Sequence, residues 1–117
     1  MDVSQAIKTR RSIRKYKQEA VPHELIEEIV ADAAYAPSWK NTQIARYILV
    51  EDRAAIDKMA EEMVLDFIAA QTFCLAAWER GVGTVITGYF DEAKIIDLLH
   101  IPENQKVGCV IGLGYPD

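Results

Sequence analysis

The chain has 117 residues, half of them hydrophobic and 26% charged, a composition of folded globular proteins rather than disordered or fibrous ones. One domain spanning 1–117 is expected, with a core that leaves little to spare, so a second copy of the chain would help to cover it. Thirteen basic against eighteen acidic side chains give a net charge of −5, which argues against a general electrostatic grip on nucleic acid or anionic lipid.

Taken in chain order, Asp2 followed by Gln5 forms a plausible capping pair for a short helix carrying Val3, Ala6 and Ile7. The opening residues lack a secretory pattern, so a cytoplasmic location is the expectation. No apolar run approaches the roughly 20 residues that span a bilayer. Val21-Pro22 opens a second helix with Leu25, Ile26, Ile29, Val30, Ala33 and Ala34 on one face, and Pro37 stops it. After a polar turn over 38–42, Arg46 to Val50 has the β-branched and aromatic content of a strand. From Arg53 to Arg80 there is neither proline nor glycine, and Ala60, Met63, Phe67, Ala70, Cys74 and Ala77 recur in steps of three and four. That pattern predicts one long helix of about 40 Å with a narrow seam for which a second subunit is the simplest partner. Gly81 and Gly83 end it. A short strand over 84–87 follows, then a helix capped by Asp91 with Ile95, Ile96, Leu98 and Leu99, and a buried strand over 107–113. The whole reads as α+β, rich in helix, with a small sheet.

Six of the thirteen basic residues, Lys8, Arg10, Arg11, Arg14, Lys15 and Lys17, crowd into one stretch of an acidic chain. Cations at a helix C-terminus are favourable without any ligand. Ser12 among Arg10, Arg11 and Arg14, however, is the set of guanidinium forks and hydroxyl that phosphate oxygens require. The stretch Ala36-Pro37-Ser38-Trp39-Lys40-Asn41-Thr42-Gln43 could simply connect a helix to a strand, yet its amides and indole suit a heteroaromatic ligand. At Thr87-Gly88 the missing side chain would let a flat ring approach the main chain. Cys74, Cys109, His23 and His100 show no metal-ligand spacing, the two histidines reading as surface or capping residues. No hydrolase motif is present and no Gly-x-Gly-x-x-Gly fingerprint is complete, so an enzyme of this sequence would rely on a cofactor.

Four blocks in order, Arg10-Arg11-Ser12-Ile13-Arg14-Lys15-Tyr16, Ala36 to Gln43, Gly81-Val82-Gly83-Thr84 through Asp91, and Ile111-Gly112-Leu113-Gly114-Tyr115-Pro116, resemble the FMN-dependent nitroreductase family. The resemblance implies an α+β homodimer, its long helix at the interface, with FMN between the protomers and NAD(P)H as electron donor. Hydride would pass through flavin N5 to an electron-poor acceptor such as a nitroaromatic or quinone. By position, Arg10 and Ser12 would hold the FMN phosphate with Arg11 adjacent, and Arg14 would approach the pyrimidine end of the flavin. Pro37, Ser38 and Asn41 would come from the other subunit, and Thr87 and Gly88 would face N5 and O4 through their main chain. The resemblance implies no metal and no catalytic side chain, because the flavin carries the chemistry. Three departures stand out: the family has an additional strand and helices around the position of Met63-Val64, it continues beyond Tyr115-Pro116 with an arm, and it commonly has proline and tryptophan where this chain has Ile44-Ala45. A flavin-binding or structural dimer module with little turnover is the alternative reading.

Overall fold

In the computed structural model the residues described are 1–59, 68–87 and 90–117. The Asp2 carboxylate accepts the Gln5 amide at 2.8 Å and so caps helix α1 (Val3–Thr9), satisfying one of the amides that a first helical turn leaves without a partner. At the other end the Thr9 hydroxyl donates to the Gln5 carbonyl and accepts the Trp78 indole N–H at 3.0 Å, which ties α1 to helix α4 (Ile68–Glu79).

Helix α2 (His23–Ala33) follows Pro22, whose φ of −57° is already close to helical. Its face of Ile26, Ile29 and Ala33 is buried, while Glu24, Glu27, Glu28 and Asp32 stay exposed. Ile29 and Ala33 pack with Phe73 and Ala77 of α4 and with Val82 to make the core. Helix α4 is apolar around most of its circumference because α1, α2 and strand β1 (Gly83–Thr87) all lie against it. Arg80 closes its last turn, donating to the Ala76 carbonyl at 3.1 Å and pairing with Asp32 at 2.8 Å and Glu28 at 3.5 Å on α2. Burial opposes the charge on this guanidinium, but its carboxylate partners outweigh burial and raise its pKa. Gly81, at a φ of 78° that other residues rarely adopt, then turns the chain directly into β1.

Helix α5 (Glu92–Leu99) is capped by the Asp91 carboxylate, which accepts the Lys94 amide at 3.2 Å, and ends at His100 in the left-handed region. Strand β2 (Val110–Gly114) pairs antiparallel with β1 in a register that sets Gly83 opposite Gly114 and Thr87 opposite Val110. The fold is α+β, with this two-stranded antiparallel ribbon against the helices.

Three expectations change. Residues 46–50 are not a strand: neither β1 nor β2 takes this segment as a neighbour, and β-branched content makes no strand without a partner backbone. Tyr47 is held instead by its ring, stacked on Phe73 with centroids 6.0 Å apart. The long helix is seen as α3 (Arg53–Met59) and α4, while its middle, with Ala60, Met63 and Phe67, lies outside the described residues. At Ala70, Cys74 and Ala77 its seam is buried, α2 and β1 of the same chain packing against α4. The last strand begins at Val110 rather than Val107.

Much apolar surface is left uncovered. Val3, Tyr35 and Ile44 are 75%, 89% and 77% exposed, and the chain's 8303 Å² of accessible surface exceeds the about 6,400 Å² expected of a self-contained monomer of this mass.

His23 stands between Glu51 at 3.2 Å and Glu27 at 3.4 Å. The hydrogen bond to Glu51 leads the causes that raise its pKa above the ordinary value. A raised folded-state pKa means that the stabilisation is fully present below the unfolded value and is lost as pH rises through the folded one. An NMR titration of the His23 ring should therefore give a pKa above the usual 6.5 that falls back in Glu51→Gln; an unaltered midpoint in that variant would discount the contact.

Candidate anion and cofactor site

The basic stretch leaves α1 in extended backbone at Arg10 and runs along the sheet. Ser12 bridges Thr84 of β1, the Ile13 amide donates to the Thr84 carbonyl at 2.9 Å, Tyr16 bridges Pro116 beyond β2, and the Lys17 amide donates to the Tyr115 carbonyl at 2.9 Å. Backbone pairing at both strands thus fixes where Arg10, Ser12 and Arg14 sit. Lys15 is occupied by Asp117 at 2.9 Å.

The cations differ in what they are free to do. Arg11 is engaged locally, its guanidinium donating to the carbonyls of Lys8 at 2.9 Å and Arg10 at 2.7 Å, which closes the C-terminus of α1. Arg10 and Arg14 have no acidic side chain paired with them among the described residues, although the chain carries five more acidic than basic groups. Arg10 is half-buried; Ser12 and Arg14 are exposed. Beneath them Cys74 and Thr84 are buried together. Burial pushes the Cys74 thiol up, against the Thr84 hydroxyl and the nearby charge of Arg10, so this sulfur stays a protonated core atom. The Arg10 guanidinium with the Ser12 hydroxyl is a donor set that fits a phosphate monoester, and Arg14 adds a second cation on the same segment.

The second candidate stretch is a loop with hydrogen bonds of its own. Ser38 Oγ accepts the Gln43 amide at 2.9 Å, the Asn41 amide donates to the Ser38 carbonyl at 3.0 Å, and Arg46 donates to the carbonyls of Gln43 and Ala45. Lys40, Asn41 and Gln43 all have φ near 50°, a left-handed conformation costly for residues other than glycine. Pro37 and Asn41 are exposed. At the end of β1 the Thr87 hydroxyl donates to the Val110 carbonyl at 3.0 Å, which commits its one hydrogen. Gly88 lies outside the described residues. Among those residues no cluster could hold a metal ion, and no helix is long and apolar enough to cross a membrane.

Two residues that sequence reasoning passed over complete the arrangement. Ile13 lies over Gly83 and the Tyr16 ring over Gly114, each so close that a Cβ on the glycine would come within 2.8 Å of the side chain. The only hint in the sequence was the glycine-bearing last strand, read as crowded by backbone or ligand; the crowding comes from a side chain of the basic segment itself.

Comparison with known proteins agrees with this fold. The family model described as "Nitroreductase family" matches residues 7–67 and 67–115. A Methanothermobacter thermautotrophicus protein provisionally named NADH dehydrogenase/NAD(P)H nitroreductase is 35% identical over 149 residues, covering 99% of this chain and 78% of the relative. A match longer than this chain means that the relative carries internal residues with no counterpart here. The crystal structure of a nitroreductase family protein from Clostridium novyi superimposes with a TM-score of 0.90 at 26% identity, covering 99% of this chain and 87% of that one. An FMN-dependent nitroreductase from Clostridium difficile gives 0.83 at 26% identity, covering 98% and 88%.

Proposed function

Because this chain belongs to the nitroreductase family, we propose that it is an FMN-dependent oxidoreductase that accepts hydride from NAD(P)H and reduces an electron-poor acceptor such as a nitroaromatic or quinone. FMN, when bound, supplies the hydride chemistry at its N5. The protein's contribution is binding, orientation and charge. Arg10 and Ser12 hold the phosphate, and Arg14 offers positive charge to the pyrimidine end of the ring, where negative charge develops on reduction. The main chain at Thr87 and Gly88 faces the flavin edge. The observation that carries this reading is the pair of guanidiniums, Arg10 and Arg14, that have no acidic partner among the described residues and flank Ser12 in an acidic chain.

The working form is a homodimer with FMN between protomers, the partner lending Pro37, Ser38 and Asn41. Its support is the apolar surface left open at Val3, Tyr35 and Ile44, which a second copy would cover. On that loop Pro37 and Asn41 are exposed, where a neighbour can reach them.

Purified protein is expected to be yellow, with flavin absorption bleached by NADH or NADPH under anaerobic conditions and restored by a nitroaromatic or quinone. Colour without bleaching would replace the enzyme by a flavin-binding module. Colourless protein that takes up no added FMN would overturn both readings.

A further inference from the structure

Resting on the phosphate assignment above, we propose that Tyr16 is a positioning residue for FMN: its ring, seated on Gly114, holds the segment that carries Arg10 and Ser12 in the place the phosphate requires. Two side chains of the basic segment are keyed into two notches of the ribbon, Ile13 over Gly83 and Tyr16 over Gly114, and these glycines face each other across the β1–β2 register. The keys are coupled, because the Tyr16 hydroxyl donates to the Ile13 carbonyl at 2.6 Å. That bond fixes the bend between them, and Arg14 lies inside the bend with Ser12 immediately before it. Ser12 and Tyr16 also make the two backbone bridges, so the segment is pinned by main chain and side chain at the same two places. Burial first, then Cys74, pushes the Tyr16 phenol up and Arg14 works against them, so the hydroxyl keeps its proton and remains a donor. Neither Ile13 nor Tyr16 is placed to touch the ligand by this reading; they act through the residues beside them.

Gly114→Ala tests this from the opposite side of the notch. Gly114 has no positive φ, so alanine there brings no backbone strain of its own and acts by displacing the Tyr16 ring, 2.8 Å from the new Cβ. The readout is the ratio of FMN to riboflavin affinity, each measured by titration of the purified protein, because riboflavin lacks only the phosphate. A merely structural role would weaken both ligands together and leave the ratio unchanged. The expected result is a ratio reduced by about tenfold or more, with riboflavin, which shares only the Arg14 contact at the ring, losing clearly less affinity than FMN. A cooperatively folded Gly114→Ala protein with an unchanged ratio would overturn the proposal. Should that variant not fold, Tyr16→Phe decides: it keeps the ring and removes only the bond to Ile13, and the ratio should fall by a few-fold; no change would again overturn it. Wild-type protein that binds riboflavin as tightly as FMN would remove the phosphate assignment itself, a failure seen before any variant is made.

Discussion

Arg10→Ala is expected to raise the FMN dissociation constant by about ten- to a hundredfold, the equivalent of one charge-assisted phosphate contact at about 1.5–3 kcal/mol. Arg10 is half-buried and carries no carboxylate partner among the described residues, so its charge meets the ligand without a competing ion pair. Arg11→Ala should cost less, because that guanidinium already bonds the Lys8 and Arg10 carbonyls. The loss in Arg10→Ala should shrink as salt is added, since ions screen the part of the interaction open to water. Flavin fluorescence titrated at low and high ionic strength measures both effects. Equal FMN affinity in wild type and Arg10→Ala would take Arg10 out of the site.

Phe73→Ala carries the largest expected effect on stability, a loss of about 3–5 kcal/mol, against a total on the order of 5–15 kcal/mol for a domain. Phe73 is 4% exposed and sits where α2 and α4 meet. Its removal leaves a void between Ile29, Ala33 and Val82, and takes away the surface on which the Tyr47 ring is stacked. Tyr47 is the side chain by which the irregular segment before α3 joins the core, so that segment should loosen as well. Urea unfolding at fixed protein concentration gives the number, with Phe73→Leu as the milder comparison. A loss below about 1 kcal/mol would mean that the site collapses around the gap and that the core lies elsewhere.

What could be read from the sequence was local. Asp2, Asp91, Pro22 and Gly81 act within a turn of their own position, and each marks a helix boundary in the fold as it does in the sequence. Residues 46–50 misled for the complementary reason: strand content is local, but a strand exists only if another backbone arrives beside it, and among the described residues none does. At the candidate site the residue types were legible and their separate roles were not. Nothing in Arg10-Arg11-Ser12-Ile13-Arg14 distinguishes the arginine that closes a helix from the two that have no carboxylate partner among the described residues. Nor does the motif reveal that Ile13 and Tyr16 face glycines near the far end of the chain.

Ser12 meets Thr84 and Tyr16 meets Pro116, contacts that enclose most of the polypeptide. Closing loops that long is entropically slow, whereas α4 and β1 lie next to each other in the chain and can assemble early. The basic arm should therefore dock late in folding and be among the first pieces released by local opening. Amide hydrogen exchange at Ile13 and Lys17 would then run faster than in α4, and bound coenzyme would slow it, making cofactor uptake the closing event of maturation.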